Sequence, residues 1–195
     1  MHARSENEST ELNNITMGWI DSIINLFQRR NLTGAEKTLD SYTRGVAAIG
    51  KGKTAQAIEH FTDAITDAPN SAKLYHNRAD AYALNGQHLE AIVDYDVAVR
   101  IDPSYPDTYL DRGNSRYAIG HLADAIKDLN EAIRIKPDWG EAYANRAVVH
   151  AELDKPEESD QDAETAKTLG VNETRLSEML QTAQSNSDSS PEVSN

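Results

Sequence analysis

The sequence predicts an all-α fold of four helical hairpins in series, and three observations support this prediction. Proline recurs every 34 residues, at Pro69, Pro103 and Pro137. Six further columns of glycine, alanine, arginine, tyrosine and small residues share this period, which is typical of a repeat architecture. Within each period, apolar residues recur at helical spacing.

Residues 72–105 illustrate how one hairpin is built. The first helix carries Tyr75, Ala79 and Tyr82 on one face, and the second carries Ala91, Tyr95, Ala98 and Val99. Asn85 and Gly86 supply the turn between the two helices. Asp102 and Pro103 end the second helix, because the residue before a proline avoids helical geometry.

The period places the hairpins at residues 38–71, 72–105, 106–139 and 140–173. The fourth departs from the pattern, because serine replaces the recurring alanine at position 159 and valine replaces the proline at 171. The first helices carry a column of small residues: Gly45, Ala79, Gly113 and Ala147. Two helices approach closely only where side chains are short, and a larger residue would overpack by about 1–3 kcal/mol. No hairpin can bury its apolar face alone, so neighbours must stack into a continuous core.

The tyrosine–small–tyrosine helix, glycine turn, alanine-rich second helix and closing proline resemble the tetratricopeptide repeat (TPR) family. The resemblance covers residues 38–173, and repeats two and three match the pattern most closely. It implies a right-handed TPR superhelix. In such a superhelix the first helix of each hairpin lines a concave groove, which binds a protein or peptide.

The two ends of the chain flank the predicted repeats. Residues 1–11 are polar, and we expect them to be disordered. Residues 12–34 are predicted to form an amphipathic helix that caps the first hairpin. Its apolar face comprises Leu12, Ile15, Trp19, Ile20, Ile23, Ile24, Leu26 and Phe27. The alternatives are a docking or homodimerisation helix over residues 12–30, or a membrane-surface anchor. Residues 174–184 are predicted to form a C-terminal capping helix, and residues 185–195 a disordered acidic tail.

Composition excludes several classes of protein. The chain has 195 residues and a net charge of −13, which repels phosphate backbones and disfavours a nucleic-acid partner. It has no cysteine, so disulfides, thiol catalysis and Cys-ligated zinc are excluded. No apolar run is long enough to form a transmembrane segment, and the acidic start is unlike a secretory signal. These features favour a cytoplasmic protein.

Chemical motifs are equally scarce. We find no phosphate-binding glycine loop, no Gly-x-Ser-x-Gly and no His-Glu-x-x-His, so no catalytic residue or cofactor is predicted. His76 and Asp80 are four positions apart and could share a helix face as a metal pair. Two ligands make a weak site, and no metal is predicted.

The family geometry implies which side chains face the groove. The predicted peptide-binding site comprises Lys73, His76, Asn77, Asp80, Asp107, Asp111, Asn114, Tyr117, Glu141 and Asn145. Equivalent positions elsewhere are Leu110 and Glu152, and in repeat one the mostly apolar Leu39, Tyr42, Val46 and Ile49. The asparagine amides can pair with an extended peptide backbone in either sense, and the acids would favour Lys or Arg on the ligand. The alternative is that the acids only keep the surface soluble.

TPR domains that hold the acidic C-terminal tails of heat-shock chaperones use Lys, Arg and Asn as a carboxylate clamp. Asn77 matches one clamp asparagine. Tyr42 and Val46 stand where Lys and Asn would be, and Asp107 and Asp111 stand where Lys and Arg would be. Because carboxylates there would repel a carboxylate ligand, the sequence argues against this clamp.

A second periodic set concerns charge inside the array. An arginine early in each first helix is followed 16 residues later by an aspartate in the second helix: Arg78–Asp94, Arg112–Asp128 and Arg146–Asp162. We predict a ladder of Arg–Asp ion pairs. Repeat one lacks the aspartate, and His60 takes its place.

The sequence therefore predicts a non-enzymatic adaptor or scaffold that binds an extended, basic segment of a partner protein. One alternative is a client-specific chaperone or co-chaperone. Another is a structural protein that self-assembles through residues 12–30.

Overall fold

The computed structural model describes residues 33–189. This range consists of helices joined by short turns and contains no strands. The helices are α1 (Gly34–Ile49), α2 (Thr54–Asp67), α3 (Ala72–Leu84), α4 (His88–Ile101), α5 (Pro106–Ala118), α6 (Leu122–Ile135), α7 (Gly140–Glu152), α8 (Pro156–Thr168) and α9 (Glu173–Ser189).

Consecutive helices pair into hairpins, α1 with α2, α3 with α4, α5 with α6 and α7 with α8. The second helix of each of the first three hairpins packs on the first helix of the next, and α9 packs on α7. The predicted all-α stack of four helical hairpins is confirmed.

Each hairpin turn contains one residue in the left-handed region. In the first three turns this residue is Gly52, Gly86 or Gly120, with φ between 69° and 77°. Glycine adopts this conformation without a Cβ clash. In the degraded fourth repeat the equivalent residue is Asp154, at φ 54°. The fourth turn therefore retains the geometry with a residue that adopts it at a steric cost.

Small residues bring the two helices of a hairpin together, as predicted. A Cβ atom built at Gly45 would lie 2.6 Å from Cε1 of Phe61. Phe61, Tyr95 and Leu129 occupy equivalent positions in three second helices and are among the largest fully buried side chains. The recurring alanines around them are also buried. The core is thus a column of large side chains enclosed by alanine and glycine.

All three predicted Arg–Asp pairs are present, and each is bidentate. Arg112 donates from Nε and Nη2 to the two carboxylate oxygens of Asp128, at 3.0 and 2.6 Å. The equivalent bonds from Arg78 to Asp94 and from Arg146 to Asp162 measure 2.6–2.8 Å. The three carboxylates are almost completely buried. Each pair therefore ties the first helix of a hairpin to its second helix.

The same arginines also bridge neighbouring hairpins. Their Nη1 atoms donate to the second helix of the preceding hairpin, in the pairs Arg78–Thr62, Arg112–Asp96 and Arg146–Asn130. Each guanidinium also lies 5.5–5.7 Å from the ring centroid of the tyrosine three positions earlier. The ladder thus links successive repeats as well as the helices within one repeat.

The helix boundaries differ from the predicted ones at both ends. Thr33 and Glu36 form a capping box, and α1 begins at Gly34 rather than at residue 38. Residue 34, assigned to the N-terminal helix, therefore belongs to the first repeat. The C-terminal helix extends to Ser189, past the predicted end at 184, and its buried Ala183 packs against α7. The predictions for residues 1–32 and 190–195 lie outside the described residues.

Candidate peptide-binding groove

The first helices of repeats two to four form one layer. Helix α3 contacts α5, and α5 contacts α7. These helices carry the predicted acids: Asp80 on α3, Asp107 and Asp111 on α5, and Glu141 on α7. We refer to these four residues as the acidic groove.

His76 lies at the base of the acidic groove, between two carboxylates. Its Nε2 atom is 3.4 Å from Oδ2 of Asp80 and 3.9 Å from Oδ2 of Asp111. Its Nδ1 atom is 3.2 Å from the hydroxyl of Thr108. The side chain of His76 is 10% exposed, whereas those of Asp80 and Asp111 are 36% and 34% exposed. The carboxylates are therefore the accessible part of this cluster.

These three side chains can surround a single cation. The nearest ligand atoms of His76, Asp80 and Asp111 all lie within 4.8 Å of one another. One nitrogen and two carboxylate oxygens suit an ammonium, a guanidinium or a divalent metal.

Aromatic side chains hold this cluster in place. The hydroxyl of Tyr95, on α4, donates to Oδ1 of Asp80 at 2.7 Å. The rings of Tyr95 and Tyr105 lie 5.7 and 5.4 Å from the imidazole of His76, centroid to centroid. Because Tyr95 is fully buried in the core, it fixes the Asp80 carboxylate from beneath.

The charges of the groove are not balanced. The pKa of Asp111 is raised to about 7, first by burial and then by repulsion from Asp80, Asp107 and Glu141. Burial also raises the pKa of Asp80, against the opposing effects of His76 and of the hydrogen bond from Tyr95. Three acids thus raise the proton affinity of a fourth. A cation brought by a ligand would relieve this repulsion.

The three predicted asparagines have internal partners. Asn77 donates to the backbone carbonyl of Lys73 at 2.6 Å. Asn145, on α7, donates to the side-chain carbonyl of Asn114, on α5, at 2.8 Å. Asn114 and Asn145 therefore form a link between adjacent first helices rather than two independent contacts for a ligand.

Two other predicted groove residues also make internal contacts. The ammonium of Lys73 lies 4.8 Å from the ring centroid of Tyr42. Tyr117 packs against the α7–α9 contact, and burial together with its hydrogen bond to Glu152 raises its pKa. Tyr117 and Glu152 therefore contact each other within the fold.

The equivalent positions in repeat one form an apolar end of the groove. Leu39 and Val46 are 64% and 45% exposed. Tyr42 packs on Phe61, with 6.1 Å between ring centroids, and Ile49 packs on the core. Leu110, expected to face the groove from repeat three, is buried in the core.

The cluster around His76 includes residues that the sequence analysis did not identify as functional. Thr108 comes from the next repeat, Tyr105 is the last residue of repeat two and directly precedes α5, and Tyr95 was assigned only to the core. Tyr95 lies 15 positions after Asp80, one short of the 16-residue Arg–Asp spacing. In the sequence, only the hydroxyl of Tyr95 indicates that this core residue could reach the carboxylate of Asp80.

Family models match the centre of the chain. The model described as TPR repeat matches residues 79–120 and 113–154, and one described as tetratricopeptide repeat matches residues 60–93. The chain belongs to the tetratricopeptide repeat family. TPR proteins are repeat scaffolds for protein interaction. No curated protein sequence matches this TPR chain.

Solved TPR structures resemble this one closely. The first TPR of Spaghetti (RPAP3), bound to the HSP90 peptide SRMEEVD, is 28% identical, with a TM-score of 0.60 over 61% of this chain and 94% of that one. The second TPR domain of human RPAP3, in complex with the HSP70 peptide SGPTIEEVD, is 27% identical, with a TM-score of 0.58 over 60% and 98%. MamA is 19% identical, with a TM-score of 0.70 over 79% and 84%, and it shows the fold alone.

No helix within residues 33–189 combines the length and apolar character needed to cross a membrane.

Proposed function

We propose that this TPR protein is an adaptor whose acidic groove binds an extended segment of a partner protein through a Lys or Arg side chain. One observation carries the proposal: the Asp80 and Asp111 carboxylates converge on His76 from adjacent repeats, and the proton affinity of Asp111 is raised. A lysine ammonium or an arginine guanidinium placed between the carboxylates would replace the repulsion with two charge-assisted hydrogen bonds.

The two RPAP3 structures support peptide binding by this fold. Their peptides differ in charge from the basic ligand proposed for this chain. Both bound peptides end in EEVD and are acidic. Here Asp107 and Asp111 stand on α5 where a carboxylate clamp would need cations. Because like charges at close range disfavour binding, we expect an EEVD tail to be repelled by this groove.

The Asn114–Asn145 pair lies beyond the acidic groove in the same layer. Each amide carries both a donor and an acceptor, and their mutual bond uses one donor of Asn145 and the carbonyl of Asn114. The donor group of Asn114 and the carbonyl of Asn145 provide the chemistry to pair with an extended backbone. The proposed recognition thus combines one charged side chain with backbone contacts.

A paired pull-down from lysate of the source organism tests the proposal. The first bait is the intact chain. The second carries Asp80→Asn, Asp107→Asn, Asp111→Asn and Glu141→Gln, which preserve side-chain shape and change the net charge from −13 to −9 (−13 + 4). EDTA is present throughout, so that no metal occupies the cluster. We expect a partner retained by the intact chain and lost from the variant.

A third bait separates groove recognition from general charge. It carries Glu59→Gln, Glu157→Gln, Asp160→Asn and Glu164→Gln, four exposed acids on α2 and α8, and has the same net charge of −9 (−13 + 4). The proposal requires this control to recover the partner as the intact chain does. Equal recovery by all three baits would contradict recognition in the acidic groove, and equal loss from both variants would indicate non-specific attraction.

A further inference from the structure

The groove has an apolar pocket at its N-terminal end, separate from the acidic groove. The pocket has a volume of about 600 Å³, and its lining includes Ala35, Leu39 and Tyr42 from α1, Ala68 after α2, and Leu74 from α3. Leu39 is 64% exposed in the described part of the chain, whereas large apolar side chains in a core are covered. Within residues 33–189, the pocket therefore presents an uncovered apolar surface.

The chain outside the described residues joins the fold at the edge of this pocket. Gly34 and Ala35 both line it, and the capping box at Thr33 fixes the direction in which the preceding chain enters α1. Gly34 follows Phe27 by seven positions (34 − 27). An extended stretch of that length reaches about 25 Å. Residues just before position 28 are thus tethered within reach of the pocket.

The tethered sequence has side chains that complement the pocket. Its apolar side chains recur at helical spacing: Trp19, Ile20, Ile23, Ile24 and Phe27. The pocket rim carries one acid, Asp67, and one base, Lys73. The segment and its tether offer complementary charges in Asp21 and in Arg29 and Arg30.

We propose that residues 19–27 dock in this pocket of their own chain. A tether of a few residues gives the segment a high effective concentration at the pocket, which favours it over a second copy or a separate partner. A docked segment would cover Leu39 and lie beside the acidic groove. It would thereby set the N-terminal limit of the surface offered to a partner. This inference does not depend on what the acidic groove binds.

The tryptophan content of the chain provides a direct probe. The chain has two tryptophans, Trp19 and Trp139, so Trp139→Phe leaves Trp19 as the single emitter. In this full-length background we expect Trp19 emission to be blue-shifted relative to the urea-unfolded chain. Leu39→Asp should shift it to the red. The control Leu89→Asp, at an equally exposed leucine on α4, should leave it unchanged. Circular dichroism checks that each variant retains its helices.

A disulfide experiment identifies the occupant, because the chain has no cysteine of its own. Under mild oxidation, full-length Ile23→Cys/Leu39→Cys should form a disulfide within the monomer, and Ile23→Cys/Leu89→Cys should not. A disulfide found mainly in dimers would overturn docking in cis and show that a second copy fills the pocket. If no disulfide forms and Leu39→Asp leaves the Trp19 emission unchanged, docking would be overturned altogether.

Discussion

Replacing Asp128 by alanine tests the role of the Arg–Asp ladder in stability. Asp128 accepts two hydrogen bonds from Arg112 and one from Arg116, at 2.6–3.0 Å. Its carboxylate is 4% exposed, and the Arg112 side chain is 11% exposed. Without Asp128, Arg112 retains only the bond to Asp96 in the preceding hairpin. The variant thus leaves a largely buried guanidinium poorly paired.

The size of the effect follows from that burial. Removing one partner of a buried ion pair costs about 3–5 kcal/mol, because the remaining charge loses its main compensation. The acid that Arg112 keeps, Asp96, has a side chain that is 44% exposed and compensates it only in part. For a chain of this size, each kcal/mol lowers the melting temperature by about 2–4 °C. We therefore expect Asp128→Ala to melt about 6–20 °C below the wild-type protein.

Thermal unfolding followed by circular dichroism measures the shift. The matched control is Glu131→Ala in the same helix, where Glu131 accepts two hydrogen bonds from Arg134 at the surface. An exposed pair contributes little, so the control should leave the melting temperature nearly unchanged. Equal, small shifts in both variants would refute the idea that burial makes the ladder important.

Three further predictions concern individual residues. Because the folded-state pKa of Asp111 is raised from 3.8 to about 7, the native state binds more protons between these values, and its stability should fall as pH rises through that window. In Asp111→Asn, the urea midpoint should depend less on pH and should lie above the wild-type midpoint at pH values above 7. An unchanged profile would contradict the raised pKa of Asp111. Gly45→Ala should lower the free energy of unfolding by about 1–3 kcal/mol, because the new Cβ meets Phe61, and the urea midpoint should fall accordingly. Gly34→Ala, with nothing within 4 Å, is its control and should be neutral, so similar effects of the two would rule out a packing cause. Asp154→Gly should raise the midpoint, by up to about 1 kcal/mol, because it relieves the left-handed backbone; a lower midpoint would show that the aspartate side chain stabilises the turn.

The sequence was sufficient to predict the repeats and the ladder. A period of 34 residues aligns the recurring alanines, glycines and arginines with the same structural role in repeats two and three, and departures from it are confined to repeats one and four. The 16-residue separation of Arg112 and Asp128 recurs in neighbouring repeats, so one pairing rule accounted for all three pairs. Periodicity succeeds here because each repeat contacts mainly its neighbours.

The helix ends and the groove contacts were harder to predict. Thr33 and Glu36 have the spacing of a capping box, a local signal that would have placed the start of α1 correctly. No local pattern in the sequence, by contrast, predicts that α9 continues past residue 184 to Ser189. The contact between His76 and Thr108 spans 32 positions and depends on the angle between successive repeats. Periodicity alone does not determine that angle.

The central claim is that the acidic groove selects a basic peptide, and a charge-inverted pair of peptides tests it most directly. The acidic probe is SRMEEVD, the peptide bound by the first TPR of RPAP3. The basic probe is SEMKKVR with an amidated C-terminus, which reverses each side-chain charge and removes the charge of the C-terminal carboxylate. Fluorescence anisotropy with the full chain at pH 8 and in EDTA compares their affinities, with the Asp80→Asn/Asp111→Asn variant as reference. We predict that only SEMKKVR binds and that the variant loses this binding. Binding of SRMEEVD as tight as that of SEMKKVR, or tighter, would contradict the account.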